Sequence, residues 1–126
     1  MAKAPDAFVY NATLERIVDG DTFDCCLDLG FDVKLHKQRV RLAGIDTPES
    51  RTRDKAEKVL GLAAKKRLQE LCIGNIKVKS LGKGKYGRIL GIPYTEDGKD
   101  ICQILIKEGH AVEYSGGKKT KIWGDY

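Results

Sequence analysis

Alternation of apolar and polar residues predicts three strands in the first third of the chain. Apolar side chains recur at every second position over residues 8–14 and again over 23–29, on either side of an Asp19-Gly20 turn signal. The first alternation slips before Ile17, as it does at a β-bulge. A third alternating stretch covers residues 33–42. We therefore expect a hairpin followed by a third strand.

A change of period after residue 54 predicts one long helix. Apolar side chains recur there at helical spacing as far as Leu71. Asp54 and Glu57 are spaced as a capping pair for the start of this helix, and Gly74 is a suitable stop. The sequence therefore places a helix between the third strand and the remainder of the chain.

Two more strands and a short helix are predicted to follow. The strands cover residues 76–81 and about 88–94, and Asp100 caps a helix that ends at Gly109. Three strands, a helix, two strands and a final helix is the order of a five-stranded Greek-key barrel, the OB-fold. We expect a mainly β, single-domain protein over residues 1–126, with a core at about 8–114 and a polar tail at 115–126.

Composition agrees with one self-sufficient globular domain. The chain has 126 residues, of which 41% are hydrophobic and 33% charged, so a disordered or fibrous chain is excluded. The net charge of +5 permits attraction to polyanions without proving it. No apolar run approaches the length of a membrane span, and the first residues lack the pattern of a secretion signal. We expect a cytoplasmic protein, or a secreted one if a leader has been removed.

The four cysteines do not form a metal-binding pattern. Cys25, Cys26, Cys72 and Cys102 include no C-x-x-C pair, and neither histidine lies near a cysteine in the sequence. A zinc site is therefore disfavoured. We expect buried free thiols.

Acidic residues beside two predicted turns are the first candidates for chemistry. Turn formation accounts for Asp19 next to glycine, but it does not require Asp21, Asp46 or Glu49 as well. Two carboxylates brought together across a barrel repel each other unless a cation lies between them. With no histidine or cysteine nearby, such a site would be all oxygen, which suits calcium, magnesium or manganese.

Two arginines complete a possible catalytic set. Arg41 lies on the third predicted strand and Arg88 at the entrance to the fifth, where a solvated arginine is the ordinary interpretation. Two guanidinium groups, a cation and a spare carboxylate nonetheless fit phosphodiester hydrolysis. The positive groups would offset charge on phosphorus, and the carboxylate would orient or deprotonate water.

Three segments of the sequence resemble the thermonuclease family, whose type member is staphylococcal nuclease. They are Ile-Val-Asp-Gly-Asp-Thr-Phe at 17–23, Val-Arg-Leu-Ala-Gly-Ile-Asp-Thr-Pro-Glu at 40–49 and Lys-Tyr-Gly-Arg at 85–88. Their order and spacing match the family, and the resemblance extends over about residues 14–114. It implies a calcium-dependent nuclease on an OB-fold that cleaves DNA and RNA to 3′-phosphorylated ends.

The resemblance also implies the roles of the acidic segment. It assigns calcium ligation to the carboxylates of Asp21 and Asp46 and to the backbone carbonyl of Thr47. Asp19 would lie close to the ion without binding it. Glu49 would act as the general base or would position the attacking water.

The basic and aromatic residues take nucleotide-binding roles by the same resemblance. Arg41 and Arg88 would contact the scissile phosphate. Lys85 and Tyr86 would lie near the 5′-phosphate of a bound nucleotide, and Tyr114 would pack against the nucleotide.

The predicted function is thus a sugar-nonspecific, calcium-dependent endonuclease. We expect a monomer without a protein partner, which contacts mainly the phosphates of DNA or RNA and prefers single-stranded or flexible regions. A non-catalytic OB-fold that binds single strands or modified peptides is the alternative. A calcium-binding regulator without nuclease activity is a third, remoter one.

Overall fold

The computed structural model describes residues 8–50, 52–84 and 87–114, and within them the chain forms seven strands and two helices. In chain order they are β1 (Val9–Asp19), β2 (Thr22–Gly30), β3 (Val33–Leu42), β4 (Ile45–Asp46), α1 (Lys55–Leu71), β5 (Asn75–Lys83), β6 (Ile89–Tyr94), α2 (Ile101–Lys107) and β7 (Val112–Glu113).

Five of these strands close into a barrel in the order β1-β2-β3-β6-β5. Neighbouring strands are antiparallel, except that β3 and β6 pair in parallel through residues 40–42 and 89–91. The prediction of a five-stranded OB-fold barrel with flanking helices is confirmed. A separate two-stranded ribbon of β4 and β7 was not predicted, because strands of two residues are too short to show alternation.

The slip in the first alternation corresponds to real irregularities in the β1–β2 ladder. The register shifts once between Leu14 and Arg16 and again between Ile17 and Asp19. The second shift leads directly into the two-residue turn at Gly20 and Asp21, because Asp19 pairs with Thr22. Bulges bend a strand and redirect its side chains. The predicted bulge therefore lies where β1 delivers acidic residues to the end of the barrel.

Helix α1 covers the barrel with a narrow buried stripe of Gly61, Ala64 and Leu68. Asp54 is its N-cap, since its carboxylate accepts hydrogen bonds from the backbone N–H groups of residues 56 and 57. The predicted capping pair is only half correct. The Glu57 carboxylate does not return to the cap; it accepts a hydrogen bond from the backbone of the preceding loop.

The structure contains no helix within the described ranges that combines the length and apolar character needed to cross a bilayer.

An ion pair ties α1 to the end of α2. Arg67 donates from Nε to one Glu108 oxygen at 2.6 Å and from Nη2 to the other at 2.9 Å. These hydrogen bonds hold the pKa of Glu108 below its ordinary value of 4.5. Because the pKa of Glu108 is lower in the folded than in the unfolded chain, the ion pair stabilises the fold at pH values above the unfolded-state pKa. This stabilisation is lost as the pH falls through the folded-state pKa.

We therefore expect Glu108→Gln to lower the free energy of unfolding at neutral pH by at most about 1 kcal/mol, as for other exposed pairs. The difference from wild type should shrink as the pH falls below 4.5. Urea unfolding at neutral pH and below pH 4.5 measures this difference in unfolding free energy. The Arg67→Gln/Glu108→Gln double variant completes a double-mutant cycle for the ion pair. A difference that grew in acid would contradict this account.

Candidate active site

The predicted site residues within the described ranges lie at one end of the barrel. Asp21 is in the β1–β2 turn, Arg41 near the end of β3 and Asp46 in β4. Together with residues of the loop before α1 and the start of β6, they line one polar cavity of about 310 Å³. Its lining residues are Asp19, Asp21, Thr22, Arg41, Asp46, Thr47, Pro48, Glu49, Arg88 and Tyr114.

Arg41 is close to both of the aspartates that were predicted to share a cation. Its Nη2 atom is 3.4 Å from Asp21 Oδ2 and 3.7 Å from Asp46 Oδ1. The guanidinium is held in place by two backbone carbonyls, since Nη1 donates to Leu42 O at 2.7 Å and Nη2 donates to Ile45 O at 2.8 Å. One side chain therefore fixes the β3–β4 turn and brings two buried carboxylates to the same cavity.

Hydrogen bonds from three segments hold Asp21. Its Oδ1 accepts from the Thr22 hydroxyl at 3.0 Å, and its Oδ2 accepts from the Thr47 backbone N–H at 3.3 Å. The backbone carbonyl of Asp21 accepts from the Leu42 N–H at 2.8 Å. Asp21 thus joins the hairpin turn to both β3 and the loop after β4. Such support fixes a carboxylate in position before any ligand arrives.

Asp19 supports the loop that carries Glu49. Its Oδ1 accepts a hydrogen bond from the Ser50 hydroxyl and another, at 3.3 Å, from the Ser50 backbone N–H. Ser50 is buried, and nothing in its sequence context marked it as important. Asp19 therefore lines the cavity and also anchors the loop from within the hairpin.

Glu49 projects from this loop with an exposed side chain at the cavity edge. Its backbone N–H donates to Glu57 Oε2 at 2.9 Å, which links the loop to the first turn of α1. The sequence pattern predicted that Glu57 would cap the helix, but its carboxylate bonds the Glu49 backbone instead. Its true partner is eight residues away along the chain, and only the docking of α1 brings the two together.

Gly61 allows α1 to pack directly on the Glu49–Ser50 peptide. A Cβ atom at position 61 would lie 2.4 Å from Glu49 O and 2.7 Å from Ser50 N. Gly20 is similarly close to the helix, because a Cβ there would lie 2.6 Å from the Ala64 Cβ. Cβ atoms in proteins essentially never lie within 3.0 Å of such neighbouring atoms, so the docking of α1 against the site requires both glycines.

We expect Gly61→Ala to displace the Glu49 loop and to lower both stability and activity. Alanine normally stabilises a helix relative to glycine, but overpacking here should cost about 1–3 kcal/mol of unfolding free energy. Chemical unfolding and nucleic-acid cleavage assays measure the two effects. Ala63→Leu adds bulk at an exposed position of the same helix and should alter neither. A more stable, fully active Gly61→Ala protein would contradict the packing argument.

The remaining predicted residues are placed unevenly. Arg88 is exposed and lines the cavity, and its carbonyl accepts a hydrogen bond from the Gly84 N–H at 2.7 Å. Tyr114 is half-buried, and its backbone N–H donates to Gly44 O at 2.9 Å, which sets it on the cavity wall. Lys85 and Tyr86 lie outside the described residues.

Charge and donor type determine what the cavity can hold. Its wall carries four carboxylates and two guanidinium groups, so an anionic phosphate would meet net repulsion without an added cation. Within the described ranges, no three His, Cys, Asp or Glu side chains are grouped so as to hold a metal by themselves. A cation here would take oxygens from Asp21 and Asp46 and complete its shell with backbone carbonyls and water.

Comparison with known proteins identifies the class to which this fold and site belong. The family described as "Staphylococcal nuclease homologue" matches residues 39–122. That segment is more than half of the chain. It contains Arg41, strand β4 with the loop that follows it, and Arg88.

Several curated relatives are named as nucleases. "Endonuclease YncB" of Bacillus subtilis (strain 168) is 36% identical over 118 residues, which cover 90% of this chain and 53% of that protein. "SPbeta prophage-derived endonuclease YokF" of the same organism is 36% identical over 118 residues, covering 90% of this chain and 38% of that protein. "Micrococcal nuclease" of Shigella flexneri is 33% identical over 116 residues, covering 83% and 59%.

The chain belongs to the staphylococcal nuclease family, which confirms the resemblance found in its sequence. It spans roughly 38–59% of the length of these three relatives.

Proposed function

We propose that the chain is a calcium-dependent endonuclease that hydrolyses phosphodiester bonds of DNA and RNA and leaves 3′-phosphorylated ends. One observation carries the proposal. The carboxylates of Asp21 and Asp46 lie 3.4 and 3.7 Å from the same Arg41 nitrogen, in a cavity that Glu49 and Arg88 also line. The nuclease names of the curated relatives support the same reaction class.

The donor set fits calcium well. Asp21 and Asp46 are buried residues, 9% and 5% exposed, that offer carboxylate oxygens. Thr47 lines the same cavity and would add a backbone carbonyl. Calcium takes six to eight oxygen ligands in flexible geometry and accepts water in its shell, whereas zinc and copper prefer nitrogen or sulfur. When bound, the ion would supply Lewis-acid polarisation of the phosphate and neutralise part of its charge.

Side chains of the protein stabilise the developing charge and activate the attacking water. Arg41 and Arg88 stabilise negative charge that develops on the phosphoryl oxygens during attack. Glu49 orients a water molecule and accepts its proton as the new oxygen–phosphorus bond forms. The bond from phosphorus to the 5′-oxygen breaks, and that oxygen takes up a proton from solvent. The phosphate stays on the 3′-oxygen.

A basic groove beside the active site supports strand binding through phosphates. A second cavity, of about 600 Å³, shares Arg88 with the first and is lined also by Lys37, Arg39 and Lys83. Arg39 is paired with Asp24 through two hydrogen bonds of 2.8 and 3.2 Å, which moderates its charge. Contacts to phosphates do not read base sequence, so we expect little sequence specificity and better cleavage of flexible single strands.

Digestion assays test the proposal and its main rival together. Plasmid, single-stranded DNA and RNA are incubated with the protein in calcium or with a chelator, and product ends are treated with a 3′-phosphatase. We expect cleavage of all three only with calcium, and ends that the phosphatase alters. Binding without cleavage would favour a non-catalytic OB-fold. Cleavage unaffected by the chelator would overturn the metal requirement.

A further inference from the structure

A second group of chemically capable side chains lies on the wall of the barrel, outside the active-site cavity. Glu15 of β1, Cys26 of β2 and His36 of β3 come from three neighbouring strands and meet in one row. None of the three lines the active-site cavity. They combine a nucleophile, a base and a carboxylate that orients the base.

The contacts follow the order expected of an activated nucleophile. The Cys26 Sγ atom is 4.0 Å from His36 Nε2, and His36 Nδ1 is 3.1 Å from Glu15 Oε2. A nucleophile within reach of a base, with that base oriented by a third group, is the arrangement that activates thiols in proteins. Such contacts are often long before a reactant binds.

Two local irregularities of the barrel create this row. The β1–β2 register shifts around Glu15, and the β2–β3 register shifts between Cys25 and Leu27, where Cys26 lies. Lys37 has a backbone φ of 55°, a left-handed value that is uncommon for residues other than glycine. Its N–H donates to Glu15 Oε1 at 2.7 Å, so one carboxylate holds both the bulged backbone and the imidazole.

Glu15 is well suited to keep its negative charge. The Lys37 amide, and after it His36, hold the pKa of Glu15 below its ordinary value. An ionised carboxylate on Nδ1 keeps a proton on that nitrogen and leaves Nε2 to accept one from the thiol. The negative charge of Glu15 and the order of the contacts therefore both favour a His36 that accepts the Cys26 proton.

Access separates Cys26 from the other cysteines. Cys25, Cys72 and Cys102 are buried, and burial raises the pKa of each to about 12. Cys26 is half-buried and lines a polar cavity of about 300 Å³. The other lining residues of that cavity are Asn11, Ala12, Thr13, Asp28, Lys34 and Asn75. A small polar reagent can therefore reach this thiol alone among the four.

We propose that Cys26, His36 and Glu15 form a reactive-thiol site that exchanges with low-molecular-weight disulfides. In the step, the Cys26 Sγ proton passes to His36 Nε2 and the thiolate attacks one sulfur of the disulfide. A new sulfur–sulfur bond to Cys26 forms as the old one breaks. The departing thiolate takes the proton from His36, so the protein gains one mixed disulfide and one free thiol is released.

Oxidised glutathione at neutral pH is the probe, with the adduct followed by intact-protein mass spectrometry. We expect a single adduct on the native chain that is absent from Cys26→Ser. His36→Gln should slow its formation roughly tenfold, since the variant lacks the base that lies beside Sγ and accepts its proton. His110→Gln removes the chain's other histidine and should leave the rate unchanged.

The positioning role of Glu15 is tested by the ultraviolet absorbance of the thiolate, taken as the difference between each protein and its Cys26→Ser counterpart. Glu15→Gln should reduce this absorbance in a protein with native circular dichroism. If Glu15→Gln fails to fold, the exposed His36→Gln variant decides the proposal alone. Equal rates in His36→Gln and wild type, or adducts on the buried cysteines of the folded protein, would overturn it. Neither readout depends on nuclease activity.

Discussion

Glu49→Gln is expected to lower the rate of phosphodiester cleavage by roughly 100- to 1000-fold, the usual effect of removing one preorganised catalytic group. The glutamine side chain has the same size but cannot take a proton from water. The Glu49 side chain is exposed at the cavity edge, and its loop is held by the Glu49 N–H on Glu57 Oε2 and by the Ser50 N–H on Asp19 Oδ1. As an exposed substitution of equal size, the variant should stay within about 0.5 kcal/mol of the wild-type unfolding free energy.

Steady-state cleavage of a defined oligonucleotide and urea unfolding measure these two quantities. Glu70→Gln makes the same charge change on the exposed face of α1 and should cleave at the wild-type rate. Near wild-type cleavage by Glu49→Gln, in a preparation free of contaminating nuclease, would refute the assigned role of Glu49. The description of the fold does not depend on this result.

Asp21→Asn is expected to weaken the response to calcium as well as the rate. The substitution removes one of two buried carboxylates and places an amide near Arg41, whose Nη2 is 3.4 Å from the present oxygen. We expect a loss of roughly 100- to 1000-fold at limiting calcium, with partial recovery at high calcium. Asp46→Asn should act in the same direction.

The calcium concentration that gives half-maximal cleavage is the measured quantity. Asp32→Asn serves as the matched control, because Asp32 is exposed at the β2–β3 turn with a φ of 61° that asparagine readily adopts. It should leave the calcium response unchanged. An Asp21→Asn protein with normal calcium dependence would show that the ion, if one is needed, binds elsewhere.

The barrel could be predicted because its strands are long and half-buried. Alternation is strongest where one face packs inward, as in β2, where Phe23 and Cys25 are fully buried. The slip near Ile17 marked a true bulge for the same reason. The two-residue strands β4 and β7 carry no periodic signal, so the ribbon that holds Asp46 opposite Val112 could not be anticipated.

That Asp21, Asp46, Arg41 and Glu49 line one cavity agrees with the sequence motifs, but the contacts that support them could not be predicted. These residues were marked by carboxylates and arginines beyond what turns and exposed strands need, and by the family motifs. Supporting contacts such as Gly61 against the Glu49 peptide depend on how α1 docks. No local pattern in the sequence encodes that docking angle.

Glu57 is a residue whose importance could be predicted from the sequence but whose partner could not. Its spacing from Asp54 fits a capping pair, and Asp54 does cap α1. The Glu57 carboxylate instead bonds the Glu49 N–H, because the loop before the helix lies within its reach. Local spacing identified the residue and tertiary packing decided its partner.

In the proposed mechanism, Asp21 and Asp46 together hold the ion on which cleavage depends. A crystal structure of the protein grown with calcium tests it most directly, with the ion located by its anomalous scattering. We predict one calcium ion bound to carboxylate oxygens of both aspartates, within the cavity that Glu49 and Arg88 line. Calcium bound away from both carboxylates, in a protein whose cleavage requires it, would contradict the account.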